Sequence, residues 1–127
     1  MKLRALAVAL VILLLAPLNT SAASAHAQLT SANPKQKSAV TVMPKKIMLQ
    51  FNEDLINLEP GNLIRVSDPR GRALHVGTAA VLGNQLSVPL RSSKLLGKYR
   101  VTYRAISADG HPITGSYEFT LRAKPKR

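Results

Sequence analysis

The chain has no cysteine among its 127 residues. A small domain without disulfides must be held together by hydrophobic packing. The absence of cysteine also excludes thiolate zinc sites, iron–sulfur clusters and cysteine nucleophiles. Any metal site must therefore use nitrogen, oxygen or thioether sulfur as its ligands.

Acidic residues are also scarce. The sequence has 6 Asp+Glu against 18 Lys+Arg, a formal net charge of +12, and such a surplus attracts polyanions. The basic residues are scattered, apart from a short cluster from Lys124 to Arg127. No aromatic-rich binding strand, zinc-finger spacing or recognition-helix pattern accompanies the charge, so we expect no nucleic-acid partner.

The one long apolar run is too short to span a membrane. Residues 1–4 provide a positive start, residues 5–18 are almost wholly aliphatic, and residues 21–25 are small. A spanning helix needs about 20 apolar residues, and Pro17 interrupts the end of this run. The pattern predicts a secretory signal peptide over residues 1–25, with an uncleaved anchor as the competing interpretation. Export by this route predicts a location in the periplasm or on the outer face of the cell envelope.

Cleavage between Ala25 and His26 would leave His26 as the first residue, with a free amine beside its imidazole. That pair can chelate a metal ion. Before cleavage the His26 nitrogen is an amide, whose lone pair is held in resonance, and it is a poor ligand. A cut after Ala23 is also compatible with the small-residue run, and it would leave Ser24 as the first residue, so that His26 would not be terminal.

After the leader, apolar residues recur at every second position, which is typical of strands with one buried face. No long amphipathic helix emerges. The alternating apolar sets are Ile47, Leu49 and Phe51; Ile64 and Val66; Leu86, Val88 and Leu90; Tyr99, Val101 and Tyr103; and Tyr117, Phe119 and Leu121.

Turn signals divide these strands. Asp68 to Gly71 and the pair Gly83-Asn84 predict turns, and hairpins are expected over residues 63–76 and 79–90. Short strands in a chain of this size favour an all-β fold, a small Greek-key β-sandwich of the cupredoxin-like or immunoglobulin-like kind. We expect one domain over residues 26–122, followed by a basic tail at 123–127.

Candidate chemistry is concentrated between two of these strands, from Ser107 to Pro112. Asp109 and His111 are separated only by Gly110, whose backbone freedom would let the carboxylate and the imidazole converge. Alone, the tripeptide is equally explained by Asp109 capping a turn with His111 at the surface. Together with a terminal His26, it indicates a metal site.

Four segments resemble the copper-resistance protein C (CopC) family. These are the start of the predicted mature chain (His26 to Pro34), the block from Pro44 to Glu53, the strand from Gly97 to Arg104, and the S-x-D-x-H-P-x-x-G motif from Ser107 to Gly115. They occur in the family's order over essentially the whole predicted domain.

The resemblance implies a β-sandwich that binds one Cu(II) ion per chain through the amine and imidazole of His26, the carboxylate of Asp109 and the imidazole of His111. Nitrogen and anionic oxygen donors suit Cu(II). Glu53 is the candidate for an outer partner that orients the amine, although it also reads as an exposed carboxylate beside Asp54. The resemblance further implies a CopD-like membrane copper transporter as partner, and we expect a monomer.

The chain departs from those CopC-like proteins that carry a methionine-rich Cu(I) segment. Its methionines are Met1, Met43 and Met48, and none lies between residues 74 and 90. We therefore expect a single Cu(II) site. His75 is isolated, and nothing nearby supports it as a ligand.

Two other functions fit part of the pattern. A terminal histidine with a second histidine is the histidine brace of copper mono-oxygenases, but an anionic Asp109 should favour Cu(II) and leave less room for oxygen. We therefore expect no enzymatic activity. A metal-free sandwich that binds envelope polymers through its positive charge is the other alternative, and it predicts salt-sensitive binding of polyanions.

Overall fold

The computed structural model describes residues 26–127. The predicted leader, and with it the residue before the predicted cut, lies outside the described residues. Within residues 26–127, the chain forms eight strands and no helix that could cross a membrane.

The strands form two four-stranded sheets. The first has the order β1-β3-β6-β5, in which all three neighbouring pairs are antiparallel. The second has the order β2-β8-β7-β4, with antiparallel pairs except for the parallel contact of β2 with β8. The strand bounds are β1 Leu29–Asn33, β2 Ala39–Val40, β3 Lys46–Phe51, β4 Leu63–Ser67, β5 Ala80–Leu82, β6 Gln85–Pro89, β7 Gly97–Ile106 and β8 Pro112–Leu121.

The core lies between the two sheets, and the alternating residues build it. The apolar members of β3, β6, β7 and β8 turn inward while their neighbours face solvent. Tyr99 and Phe119 stack across the β7–β8 pair, with ring centroids 5.3 Å apart. Each large apolar side chain buried here contributes about 1.5–3 kcal/mol of transfer free energy. The chain also passes repeatedly from one sheet to the other, so the predicted β-sandwich is confirmed.

The hairpin expected over residues 79–90 is present, with β5 and β6 joined at Gly83-Asn84. The one expected over residues 63–76 is mostly wrong. Its second arm pairs with β4 only through the Ser67–Ala73 bridge and the Leu74 N–H, and it then crosses to the other sheet, where His75 bridges Leu90. The His75 imidazole accepts the Val66 N–H at 3.2 Å, so this histidine has a structural role.

Two features place the candidate residues at one end of the sandwich. The long β7–β8 hairpin closes there through residues 107–111. The segment after β3 packs against the same end, because Leu55 bridges Ser107 and the Ile56 N–H bonds the Ile106 carbonyl at 2.9 Å.

Candidate metal centre

The loop that closes the β7–β8 hairpin is a three-residue turn stabilised by its own backbone. The Gly110 N–H bonds the Ser107 carbonyl at 2.9 Å, and the Ser107 N–H bonds the His111 carbonyl at 3.0 Å. Gly110 has φ +84°, the left-handed conformation that closes such loops and that glycine adopts without a steric cost. Asp109 and His111 converge because of this turn, and not because the segment is extended.

The Asp109 carboxylate has one oxygen held by the turn and one directed at imidazoles. Its Oδ1 accepts the His111 N–H at 3.0 Å and the Ser107 hydroxyl. Its Oδ2 lies 3.2 Å from Nδ1 of His26 and 3.0 Å from Nδ1 of His111. The Ser107 hydroxyl, followed by the His111 N–H, holds the pKa of Asp109 well below its usual range. The group is therefore anionic at neutral pH and needs no deprotonation to bind a metal.

His26 is brought to this turn by the way the chain enters β1. The side chain of Ala27 is buried, and Gln28 exchanges two hydrogen bonds with Asn52. In that pair the Gln28 N–H bonds Asn52 Oδ1 at 2.7 Å, and the Asn52 N–H bonds the Gln28 carbonyl at 3.0 Å. His26 is thus one residue from the buried Ala27 and two residues from Gln28, which is held by Asn52 directly after β3.

The three predicted ligands are together in the structure. One donor atom each from His26, Asp109 and His111 lies within 4.8 Å of the others. The two imidazole rings meet edge to face, with centroids 5.3 Å apart. The histidine side chains are 56% and 68% exposed and that of Asp109 is 25% exposed, so the cluster opens to solvent. Two imidazoles and one carboxylate form a donor set that suits a divalent transition metal such as Cu(II).

Glu53 lies at the same end of the sandwich and is half-buried. It directly follows Asn52, whose contacts hold the segment that carries His26. Its Oε1 is buried and has no hydrogen-bond partner within residues 26–127. A buried carboxylate oxygen without a donor is costly, so Glu53 has a free acceptor at this end of the sandwich.

Sequence reasoning missed two residues that shape the site. Ser107 is fully buried and donates to the Asp109 carboxylate, and Asn52 ties β3 to the segment that carries His26. The serine two residues before Asp109 in the S-x-D spacing was a usable signal, since short polar side chains bond nearby turn groups. Asn52 gave no comparable local signal, because its partner lies 24 residues away.

A family model described as the CopC domain matches residues 29–122. The chain belongs to the CopC family. It is 36% identical over 108 residues to copper resistance protein C of Escherichia coli, an alignment that covers 79% of this chain and 84% of that protein. The predicted resemblance is therefore confirmed.

Solved CopC-family structures share the fold. CopC from Methylosinus trichosporium OB3b superposes with a TM-score of 0.69 at 28% identity, covering 80% of this chain and 99% of that one. PcoC, a methionine-rich copper resistance protein from Escherichia coli, gives a TM-score of 0.62 at 31% identity, covering 77% and 100%. This chain keeps that fold with only Met43 and Met48 after residue 25.

Proposed function

We propose that the protein is an exported Cu(II)-binding protein that sequesters or delivers copper, with one ion held by His26, Asp109 and His111. The observation that carries this proposal is the convergence of two imidazoles, at 3.0 and 3.2 Å, on one oxygen of an anionic carboxylate. Membership of a family whose relatives are named copper resistance proteins supports the choice of metal.

Removal of residues 1–25 supplies the fourth donor. Cleavage after Ala25 frees the amine of His26, and the amine and Nδ1 of one residue close a small chelate ring. Nδ1 already faces Asp109 in the structure, so chelation uses a ring orientation that exists before the ion arrives. The ordering cost of the fourth ligand is therefore small.

Glu53 would orient this amine. Its buried Oε1 lacks a donor within the described residues, and a terminal ammonium or a metal-bound amine has N–H groups to give. Outer partners of this kind typically change metal affinity by about 10–100-fold. Glu53→Gln should therefore weaken Cu(II) binding within that range, whereas Asp54→Asn, a change at its exposed neighbour, should not.

Binding fits this site better than catalysis does. An anionic oxygen among the metal's ligands stabilises Cu(II) relative to Cu(I), and Asp109 is kept anionic by the turn that carries it. Sequestration or delivery needs a site that holds one oxidation state, whereas a mono-oxygenase must cycle between two. A monomer in the periplasm, or on the outer face of the envelope, that passes copper to a CopD-like membrane transporter is consistent with this chemistry.

The decisive experiment is Cu(II) titration of two proteins that differ by one residue. One begins at His26 and the other keeps Ala25 ahead of it, so that the same nitrogen is an amine in the first and an amide in the second. Loss of a ligand should weaken binding by more than about 100-fold, since even outer partners can reach that figure. Intact-mass analysis of the exported protein establishes which form occurs naturally.

Three results would contradict the proposal. Equal affinity in the two proteins would exclude the terminal amine as a ligand. A processed protein that binds polyanions but shows no affinity for Cu(II) would favour the metal-free alternative. Peroxide-dependent oxidation of a glycan by the copper-loaded protein, abolished by His111→Ala, would favour an enzyme.

A further inference from the structure

The outer surface of the second sheet carries three arginines that lie close together. Arg65 on β4 is directly opposite Thr102 on β7. Arg100 and Arg104 lie two residues to either side of Thr102, on the same face of that strand. Diagonal neighbours of this kind are about 7–8 Å apart. We call the surface formed by Arg65, Arg100, Thr102 and Arg104 the arginine face.

These arginines form no direct ion pairs. Within residues 26–127, no carboxylate forms an ion pair with any of the three guanidinium groups, and their side chains make no hydrogen bond. The one acidic side chain on this surface, Glu118, is directly opposite Arg100 across β7 and β8, and its ion pair is with Lys98 at 3.8 Å. Lys37 adds a further cation beside Arg100, where the two line a shallow pocket together with Glu118.

Most acidic residues lie elsewhere. Of the six in the chain, Glu53, Asp54 and Asp109 are at the metal-centre end of the fold, and Asp68 is held by Arg72. Glu59 lines a pocket together with Arg65, and Glu118 is opposite Arg100. The net charge of the sequence, +12, is therefore unevenly distributed, and the arginine face keeps a surplus of positive charge.

Around the arginines the surface is low and polar. Most of their neighbours on β4, β7 and β8 have short side chains with hydroxyl groups, namely Ser67, Thr102, Thr114 and Ser116. The other two are Leu63, opposite Arg104, and Glu118, opposite Arg100. Arginine binds phosphate through paired N–H groups, and hydroxyls can donate to the remaining oxygens. The central core of a protein–protein interface is typically apolar and aromatic, and the centre of this surface has no such side chain.

We propose that the arginine face binds the surface of an anionic phospholipid bilayer. A plane of phosphate groups matches a flat, unpaired set of guanidinium groups, and basic side chains are attracted to such surfaces within about one Debye length. β7 and β8 then lie along the membrane, and the turn from Ser107 to His111 stays open at the side. This property does not depend on copper, so it is tested with metal-free protein.

The test is sedimentation with vesicles of phosphatidylglycerol and phosphatidylcholine, with pure phosphatidylcholine vesicles as the neutral reference. The protein used begins at His26, because both sheets and the core lie within residues 27–121. The triple variant Arg65→Gln, Arg100→Gln, Arg104→Gln should reduce partitioning on the order of 100-fold. The control Lys35→Gln, Lys45→Gln, Lys46→Gln removes the same charge from exposed positions off this face and should reduce it only a few-fold.

Thermal unfolding and Cu(II) titration of both triple variants confirm that the fold and the metal centre are intact. Equal losses in the two variants would show that net charge alone governs binding and would overturn the proposal. Binding that is equally strong to neutral vesicles would also overturn it. So would complete displacement from vesicles by polyglutamate at matched charge, since that result would indicate an acidic protein as the partner.

Discussion

The turns from Asp68 to Arg72 and from Ser107 to His111 have the same backbone and different uses. In each, the N–H of the first residue bonds the carbonyl of the fifth, at 2.9 and 3.0 Å respectively. In each, the fourth residue is a glycine with positive φ, +79° at Gly71 and +84° at Gly110, whose N–H bonds the first carbonyl. Each turn also contains one aspartate.

The aspartates occupy different positions. Asp68 is the first residue of its turn, where its Oδ1 accepts the N–H groups of Arg70 and Arg72 at 2.8 and 2.9 Å, and its Oδ2 accepts Arg72 Nε at 2.8 Å. Burial raises the pKa of Asp68, but these hydrogen bonds outweigh that effect and hold the pKa below its usual value. Asp109 is the third residue of its turn, and its Oδ2 meets two imidazoles instead of a guanidinium.

The comparison separates a structural carboxylate from the proposed metal-binding one. Both are anionic, and both use one oxygen to hold the turn. The partner of the second oxygen is what distinguishes their roles. An arginine side chain stays protonated, so Arg72 remains a hydrogen-bond donor to the second oxygen of Asp68. A neutral imidazole, by contrast, can direct a nitrogen lone pair toward a metal. Asp68, with its side chain 2% exposed, is also closed to solvent, whereas Asp109 is open.

The largest effect should come from exchanging each carboxylate for an amide. Asp109→Asn removes an anionic ligand, so Cu(II) affinity should fall by more than about 100-fold, with little change in the melting temperature of the metal-free protein. Asp68→Asn should do the opposite, because it removes the charge of a buried carboxylate that accepts three hydrogen bonds in its turn and touches none of the proposed metal ligands. Titration and thermal unfolding of both variants measure the contrast.

A loss of copper affinity in Asp68→Asn as large as that in Asp109→Asn would refute the division of roles. Such a result would mean that the two ends of the sandwich are coupled, or that copper binds a site other than the one built on His26.

A smaller effect is expected from Ser107→Ala. The Ser107 hydroxyl lies within reach of both Asp109 Oδ1 and the His111 carbonyl, the latter at 3.1 Å, and has one proton to give. Removing it lets the Asp109 carboxylate rotate, so affinity should fall by about 10–100-fold, and the pKa of Asp109 should rise toward its usual value. Ser93→Ala is the control, since Ser93 bonds Tyr99 at 2.7 Å away from the site. Unchanged affinity in Ser107→Ala would show that the turn backbone alone orients Asp109.

The sequence predicted the fold wherever local pattern decides it. Alternation over Tyr99 to Tyr103 and Tyr117 to Leu121 identified strands and their buried faces correctly, because a one-residue shift would expose the whole apolar set. The predicted hairpin was wrong after Ala73, where the chain stops pairing with β4 and crosses to the other sheet. The local sequence gives no signal for this crossing, because Leu90, the bridge partner of His75, is distant in sequence.

The candidate site was likewise predicted only in part from the sequence. The resemblance named His26, Asp109 and His111, and the structure places them together. The donor role of Ser107 depends on which rotamer the turn imposes, and the tether at Asn52 depends on the register of β1 with β3. The arginine face likewise exists only because Arg65 and Thr102 are paired across two strands. Properties that depend on register are not visible until the strands are paired.

The smallest effect should come from replacing the glycine at the fourth position of each turn with alanine. A Cβ at either Gly71 or Gly110 would meet no atom within 4 Å, so each substitution to alanine costs only the left-handed backbone, about 1–2 kcal/mol. Denaturant unfolding of metal-free Gly71→Ala and Gly110→Ala should therefore show similar losses of stability. Only Gly110→Ala should also weaken Cu(II) binding, and by less than about tenfold, because relaxation of its turn displaces Asp109 without removing a ligand. A much larger loss of stability in metal-free Gly110→Ala than in metal-free Gly71→Ala would show that the two turns are not equivalent. The additional backbone strain would then lie in the turn that carries Asp109 and His111.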